Sequence, residues 1–196
     1  AALNHNLPVF QPVTLRDERV QAELEALNPD VVVVIAYGKI LPPWLIRLPQ
    51  YGCINVHASI LPKYRGAAPI HYAILNGDTK TGVTIVPVLT RWVNGEIVAT
   101  PQDDTMATHT AKITKEMGQI DWSKPANEIV NLIRGLNPAP GCYTYLNGKR
   151  LKVWSAEVVP SDTTHGLIDV HGKHVPIAIS ATTVPGTIVS KIDGLG

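Results

Sequence analysis

Apolar runs and amphipathic stretches alternate along the first half of the chain. The run at 31–37 is continuously apolar and mostly β-branched, which predicts a strand buried on both faces of a parallel sheet. Further strands are predicted at 53–59 and 81–89, and helices at 15–27 and 68–77. Strands that alternate with helices in this order indicate an α/β domain.

A polar segment separates this part from the rest of the chain. Residues 100–105 are polar, include a proline and have no period, so they predict the start of a linker. A helix is predicted from Ser123, its cap, through Ile133, and Gly135 ends it. We therefore expect a first domain at 1–99, a linker at 100–112 and a second domain at 113–196.

The second domain carries a strong β-hairpin signal. Two strand-like runs, Tyr143–Leu146 and Arg150–Trp154, flank an Asn147-Gly148 pair, which supplies the positive φ angles of a type I′ turn. Short strands are also predicted at 166–170, 175–180 and 186–190. Several short strands in succession predict a small β-barrel.

Three polar side chains alternate along the strand predicted at 53–59. Asn55, His57 and Ser59 occupy every second position, so they share one face, while apolar side chains occupy the other. A turn and a helix follow, which puts these groups at the carboxyl end of a strand, where open α/β sheets bind ligands.

Two interpretations of this strand stay open from the residues alone. A single histidine in a strand is more often a hydrogen-bonded structural residue than a catalyst. The amide of Asn55 beside the imidazole of His57 favours chemistry, because an amide can stabilise an oxyanion while an imidazole moves a proton.

Two separate blocks carry a family resemblance. Residues 55–70 read Asn-Val-His-Ala-Ser-Ile-Leu-Pro-Lys-Tyr-Arg-Gly-Ala-Ala-Pro-Ile, and with residues 77–85 they resemble the signature of the methionyl-tRNA formyltransferase family. Formyltransferases that act on nucleotide or sugar amines share the Asn-x-His and Ser-x-Leu-Pro core. A second block, residues 112–138, resembles the start of the carboxyl-terminal domain of the tRNA family. The resemblance extends from about Pro8 to Ala156.

The resemblance implies a fold and an activity. The fold is a Rossmann-like parallel-sheet formyltransferase domain followed by a small OB-like β-barrel that binds tRNA. The activity is transfer of a formyl group from 10-formyltetrahydrofolate to the amino group of initiator methionyl-tRNA, in translation initiation. The partners implied are this tRNA and the folate co-substrate, without a metal.

The resemblance also assigns roles residue by residue. Asn55 and His57 stabilise the tetrahedral oxyanion and assist proton transfer, and Ser59, Ile60, Leu61 and Pro62 line the folate pocket. Arg65 lies near the tRNA end, although an ion pair that anchors its loop is an equal alternative. The acceptor arm is held by Lys112, Lys115, Arg134, Lys149, Arg150 and Lys152, each of which alone is more often a plain surface residue.

The chain departs from the family pattern in three places. It starts inside the family's first domain, and the family's barrel continues beyond Gly196. Between the segments matching the strand at 84–88 and residues 91–95, the family has a catalytic aspartate and a few dozen further residues, whereas here Thr90 directly precedes Arg91. We expect Thr90 and Arg91 not to be bonded neighbours in the complete protein. Asp78 is interpreted as a turn residue and not as a replacement for the aspartate.

Composition narrows the class of protein. Residues 111–196 contain nine Lys and Arg against seven Asp and Glu, a mildly basic balance. No apolar run reaches membrane-spanning length and no basic-then-apolar leader starts the chain, so we expect no membrane partner. Two cysteines without a disulfide framework fit a reducing cytoplasm, and we expect a monomer. The two cysteines, Cys53 and Cys142, have no metal-ligand spacing and are expected to be buried and unpaired.

Two rival functions remain. One is another folate-dependent enzyme, a hydrolase or a formyltransferase acting on a sugar or nucleotide amine, against which the block at 112–138 argues. The other is an inactive tRNA-binding remnant, which the missing aspartate permits.

Overall fold

A computed structural model describes residues 2–87, 100–146 and 148–158, and the strands at 166–170, 173–177 and 187–193. The α-helices in these residues are α1 (Glu18–Ala26), α2 (Pro43–Arg47), α3 (Pro69–Leu75) and α4 (Ala126–Leu136). The strands are β1 (Val32–Ile35), β2 (Cys53–His57), β3 (Arg65–Gly66), β4 (Thr84–Pro87), β5 (His109–Thr110), β6 (Cys142–Leu146), β7 (Lys149–Val158), β8 (Gly166–Val170), β9 (Lys173–Ile177) and β10 (Thr187–Asp193). Short 3₁₀ helices lie at Ala2–His5, Asp104–Met106 and Glu116–Gly118.

The chain forms two compact units. The first comprises Ala1–His57 and Val83–Pro101, and the second comprises Ala58–Gly82 and Gln102–Gly196. The division at 1–99, 100–112 and 113–196 stays a prediction. The junction between Thr90 and Arg91 lies outside the described residues.

The sheet of the first unit has the order β1-β2-β4. β1 and β2 pair in parallel, with Val34 beside Asn55, as the sequence predicts. β4 pairs antiparallel to β2, with Thr84 beside His57, so the prediction of a parallel sheet is wrong for this strand. The apolar pattern of a strand predicts its burial but not whether it pairs parallel or antiparallel with its neighbour. That direction depends on the connection between the two strands.

One face of β1 is open to solvent. Val33 and Ile35 are 54% and 63% exposed, whereas the sequence predicted burial on both faces. In the register of the sheet, Val33 and Ile35 share a face with Ile54, Val56 and Ile85. A run of β-branched residues favours a strand but does not determine which element covers each face.

Helix α1 begins three residues later than predicted because Asp17 is its cap. The Asp17 side chain accepts a hydrogen bond from the backbone N–H of Arg19 at 3.0 Å. The side-chain hydrogen bond from the Arg19 guanidinium, together with this backbone bond, lowers the pKa of Asp17.

Packing of α4 against the hairpin β6–β7 forms the core of the second unit. Ile129, Ile133 and Leu136 lie on one face of the helix at i, i+4 and i+7 and are almost fully buried. They form a single hydrophobic cluster with Leu151 and Val153 of β7. Full burial of each such side chain contributes on the order of 1.5–3 kcal/mol to stability.

The cysteines are buried as expected. Cys53 and Cys142 are unpaired and nearly inaccessible to solvent. Burial raises the pKa of the Cys142 thiol to about 12, so the thiol stays neutral at physiological pH.

The predicted hairpin is confirmed. β6 and β7 pair antiparallel from Cys142 beside Val153 to Leu146 beside Lys149, and Gly148 has a φ of +75°. The sheet of the second unit has the order β6-β7-β10-β8-β9, with β10 antiparallel to β7 and parallel to β8. Closure of this sheet into an OB-like barrel stays a prediction.

Side chains anchor the turn that follows β2. The Ser59 hydroxyl donates to the carbonyl of Lys63 at 2.7 Å and is fully buried. The Tyr64 hydroxyl donates to Asp78 Oδ2 at 2.8 Å and accepts from Asn76 Nδ2 at 3.3 Å. Asp78 therefore links this turn to the end of α3. This structural role agrees with the interpretation of Asp78 as a turn residue.

The same turn is also held by the segment that follows residue 102. β3 and β5 pair in parallel, with Arg65 beside His109 and Gly66 beside Thr110. Gly66 has a φ of +116°, and a Cβ atom there would collide with the Thr110 carbonyl oxygen. Only glycine meets both conditions without strain.

We expect Ile133→Ala to lower the free energy of unfolding of the chain by about 2–5 kcal/mol, because it removes a side chain that is 1% exposed and leaves a cavity. Urea unfolding followed by circular dichroism measures the change. Ile70→Ala is the matched control, since Ile70 is also a helical isoleucine of this unit but is 54% exposed. Equal effects of the two substitutions would contradict the assignment of this core.

Tyr64→Phe should lower the free energy of unfolding by about 1–3 kcal/mol, because it removes a buried hydroxyl that is hydrogen-bonded to a carboxylate. The same urea titration measures the loss. Tyr51→Phe is the control, since Tyr51 is exposed, and it should leave the curve unchanged. An unaltered curve for Tyr64→Phe would show that this hydroxyl does not hold the turn.

Candidate active site

Asn55 and His57 lie on β2, between β1 and β4. Asn55 is flanked by Val34 and Val86, and His57, the last residue of the strand, pairs with Thr84. Both side chains are half-buried. Because they are two residues apart on one strand, they lie on the same face of the sheet. An amide and an imidazole in this arrangement can stabilise an oxyanion and move a proton.

A cavity of about 590 Å³ in the first unit is formed by other residues. Leu15, Leu24, Val34, Leu41 and Leu45 contribute to its mainly apolar wall, and neither Asn55 nor His57 does. The sequence places Asn55 and His57 at the ligand-binding end of a strand, and we expect them to face one cavity, which stays a prediction.

Residues 59–62 lie in the second unit, which begins at Ala58. Ser59 uses its hydroxyl inside its own turn, as described above, so it contributes backbone geometry to this segment. Ile60 is exposed, and Leu61 and Pro62 are half-buried. The apolar side chains of this segment are the ones available to a ligand.

Arg65 is engaged within the second unit. Its guanidinium forms an ion pair with Asp104 at 2.7 Å, and its Nε donates to Gln102 Oε1 at 2.8 Å. Asp104 is well exposed, which limits the strength of the pair. These contacts favour the alternative that Arg65 anchors its loop, and its role toward tRNA stays a prediction.

The six basic residues assigned to RNA are exposed and belong to three elements. Lys112 and Lys115 lie in the segment before the 3₁₀ helix at Glu116–Gly118, and Arg134 lies in the last turn of α4, where its Nε donates to Asn131 Oδ1 at 2.9 Å. Lys149, Arg150 and Lys152 lie together on β7.

Aromatic rings lie beside the cations of β7. No role was predicted for these aromatic residues from the sequence. The Arg150 guanidinium lies 3.9 Å from the centre of the Tyr143 ring, and the Lys152 ammonium lies 5.2 Å from the Trp154 ring. Their positions in the sequence could have predicted this. Tyr143 and Tyr145 occupy every second position of β6, and Arg150, Lys152 and Trp154 every second position of β7.

Neither a metal cluster nor a membrane-spanning helix is found among residues 2–87, 100–146, 148–158 and the three later strands. In that part of the chain, no group of three or more His, Cys, Asp or Glu side chains is placed to hold a metal ion. None of the helices described there is long and apolar enough to cross a membrane.

Two family models match the chain. One, described as "Formyl transferase", matches residues 2–119, and the other, "Formyl transferase, C-terminal domain", matches residues 112–195. Together they account for nearly the whole sequence.

Curated relatives agree with the family models. The chain is 41% identical over 217 residues to a methionyl-tRNA formyltransferase of Alkaliphilus oremlandii, covering 90% of this chain and 69% of the relative. It is 44% identical to a methionyl-tRNA formyltransferase of Caldanaerobacter subterraneus, covering 81% of this chain and 65% of the relative. The chain thus spans about two thirds of the length of these relatives, and the resemblance to this group is confirmed.

Solved structures share the fold. A methionyl-tRNA formyltransferase from Clostridium thermocellum superposes with a TM-score of 0.56 at 18% identity, over 84% of this chain and 83% of that one. HypX from Aquifex aeolicus, in complex with tetrahydrofolic acid, superposes with a TM-score of 0.58 at 15% identity, over 80% of this chain and 34% of that one. The matched family models and the curated relatives establish that this chain belongs to the formyl transferase family.

Proposed function

We propose that this chain contributes to transfer of a formyl group from 10-formyltetrahydrofolate to the amino group of initiator methionyl-tRNA, for translation initiation. The observation that carries the proposal is about 40% identity to methionyl-tRNA formyltransferases over both family domains. The placement of Asn55 and His57 on one face of β2 supports it.

Asn55 and His57 provide the oxyanion stabilisation and the proton transfer that acyl transfer to nitrogen requires. The amine attacks the formyl carbon, and a tetrahedral oxyanion forms. The Asn55 amide donates a hydrogen bond to this oxyanion, and the His57 imidazole accepts the proton that leaves the amine. The oxyanion then re-forms the carbonyl while the bond between the formyl carbon and the folate nitrogen breaks, and the His57 imidazolium gives its proton to that nitrogen.

The folate co-substrate contacts the segment 59–62. Ile60, Leu61 and Pro62 offer apolar surface to the ring system, and the buried Ser59 hydroxyl holds the turn that presents them. The reaction as written needs no metal, since Asn55 and His57 provide the electrostatic and proton-transfer functions.

The second unit provides tRNA affinity. We assign residues 1–99 to the catalytic domain, 100–112 to the linker and 113–196 to the tRNA-binding domain, and we infer that the sheet of β6 to β10 closes as an OB-like barrel. The irregular register between β7 and β10 is consistent with closure, because bulges bend strands. Lys112, Lys115, Arg134, Lys149, Arg150 and Lys152 attract the RNA backbone, and Arg65 contributes near the acceptor end.

The cellular context follows from this role. The protein acts on tRNA in the cytoplasm as a monomer. A formyltransferase acting on a sugar amine is less well supported, because the curated relatives with the identities given above are tRNA enzymes.

A second candidate function rests on one feature of the sequence. Thr90 directly precedes Arg91, so the aspartate that the family resemblance places between these segments is absent. A chain without this carboxylate lacks the group that orients and charges the imidazole, as a carboxylate does for histidine in other enzymes. Such a chain binds tRNA without transferring the formyl group.

Incubation of the full-length enzyme with 10-formyltetrahydrofolate and initiator methionyl-tRNA should yield formylmethionyl-tRNA, and His57→Ala in that enzyme should slow the reaction by about 10²–10⁴-fold. Acid gel analysis of aminoacyl-tRNA measures the product. His5→Ala is the control, because His5 is exposed in the first unit, and it should react like the parent. Binding of tRNA without any formylation would favour the second candidate, and preference for a nucleotide-sugar amine would overturn both.

Replacing Lys149 and Arg150 together with alanine should weaken tRNA binding and flatten the slope of log affinity against log salt by about one to two units, roughly one per lost phosphate contact. Filter binding over a range of salt concentrations measures the slope. Lys124→Ala removes another exposed cation of the second unit and should leave the slope unchanged. An unaltered slope in the double variant would exclude these two residues from the interface.

A further inference from the structure

One face of the hairpin β6–β7 combines cations with three aromatic rings, of which Tyr145 is exposed and Tyr143 and Trp154 are half-buried. Register pairs Tyr143 with Lys152 and Tyr145 with Arg150, and Trp154 follows Lys152 on the same face. The opposite face carries Cys142, Thr144, Leu151 and Val153, which are buried. We call the five side chains of the first group, Tyr143, Tyr145, Arg150, Lys152 and Trp154, the hairpin face.

Side chains of the hairpin face contact one another through cation–π and edge-to-face ring interactions. Arg150 lies over the Tyr143 ring at 3.9 Å, and Tyr145 meets the same ring edge-on, at 5.9 Å between centroids and an angle of 89°. Tyr143 is thus engaged by both neighbours, while Tyr145 is 56% exposed. The hairpin face therefore offers the Tyr145 ring to an external group and holds a guanidinium beside it.

Charge indicates what kind of group the hairpin face attracts. Between residues 142 and 158 the sequence contains Lys149, Arg150 and Lys152 and a single acid, Glu157. Glu157 lies five residues beyond Lys152, past the register irregularity of β7 between Val153 and Ser155. In the register of the sheet, Asp193 of β10 stands beside Lys152, whereas Arg150 stands beside Tyr145. The end of the hairpin face that carries Arg150 and Tyr145 is therefore the positive one, and an anionic partner with flat rings complements it in both charge and shape.

Unpaired nucleotides have both properties. Each has a phosphate for Arg150 or Lys152 and a base whose flat face can stack on an aromatic ring. Base stacking tolerates any sequence, because every base has a π-face. A paired stem would offer its phosphates to the cations but would keep its bases away from Tyr145.

We propose that the hairpin face binds unpaired nucleotides of RNA, with one base stacked on Tyr145 and the adjoining phosphate held by Arg150. Tyr143 is a positioning residue, because it holds the guanidinium of Arg150 and does not itself stack. The proposal rests on the proposed function for its choice of RNA, and it adds base stacking to the backbone attraction assigned there to Lys149, Arg150 and Lys152.

The test uses the full chain and a short RNA hairpin that carries an unpaired tail, labelled for fluorescence anisotropy. The same RNA is also made with abasic residues in the tail, which keeps every phosphate and removes every base. Tyr145→Leu should weaken binding of the intact tail by roughly 5- to 150-fold, the range expected for stacking of a base on an aromatic ring. The same variant should bind the abasic tail as the parent does.

Two variants serve as controls. Tyr145→Phe keeps the ring and should restore binding of the intact tail. Tyr51→Leu removes an exposed tyrosine of the first unit and should change nothing. A thermal melt of each variant checks that the fold is retained, which the exposure of both side chains favours.

The outcomes separate this proposal from the function on which it rests. If the parent binds intact and abasic tails equally well and Tyr145→Leu changes neither, stacking is overturned while tRNA binding stands. If an acidic polypeptide such as polyglutamate binds as tightly as the RNA, the hairpin face is a general anion site and the proposal fails. Formylation of methionyl-tRNA is measured separately, so loss of that activity with the stacking effect intact would count against the enzyme alone.

Discussion

Packing of α4 onto the hairpin β6–β7 determines most of what the second unit presents to its surroundings. Burial of Leu151 and Val153 against Ile129, Ile133 and Leu136 sets which side of β7 faces inward. Because side chains alternate along a strand, the same burial turns Arg150 and Lys152 outward. The positions of the exposed cations and rings are therefore consequences of the apolar core.

Helix α4 also supports the turn after β2 from within the same unit. α3 packs along it, with Gly135 so near Leu75 that a Cβ atom would lie 3.0 Å from that side chain. Asn76 and Asp78 follow the end of α3, and both hydrogen-bond the hydroxyl of Tyr64. Tyr64 belongs to the turn after β2, so these bonds join α3 to that turn. Loss of packing at α4 should thus reach the turn that carries Ser59 and Arg65.

Local signals predicted the elements well where a single short-range interaction decides them. The turn at Gly148 and the strands on both sides follow from residue types that tolerate a positive φ angle and from alternation of side chains. The placement of Asn55 and His57 on one strand follows from the same alternation. The roles of these two residues rest on family resemblance, because neither a strand pattern nor a half-buried imidazole specifies a reaction.

Sequence by itself determined most of the longer helices and strands, the shared face of Asn55 and His57, and membership of a family that moves formyl groups. Tertiary structure alone decided that β4 runs antiparallel to β2, that Val33 and Ile35 stay open to solvent, and that Arg65 pairs with Asp104. It also decided that Arg150 lies over Tyr143. The reason is physical: periodicity and turn chemistry act between near neighbours in the chain, whereas strand direction, burial and ion pairing depend on segments far apart in sequence.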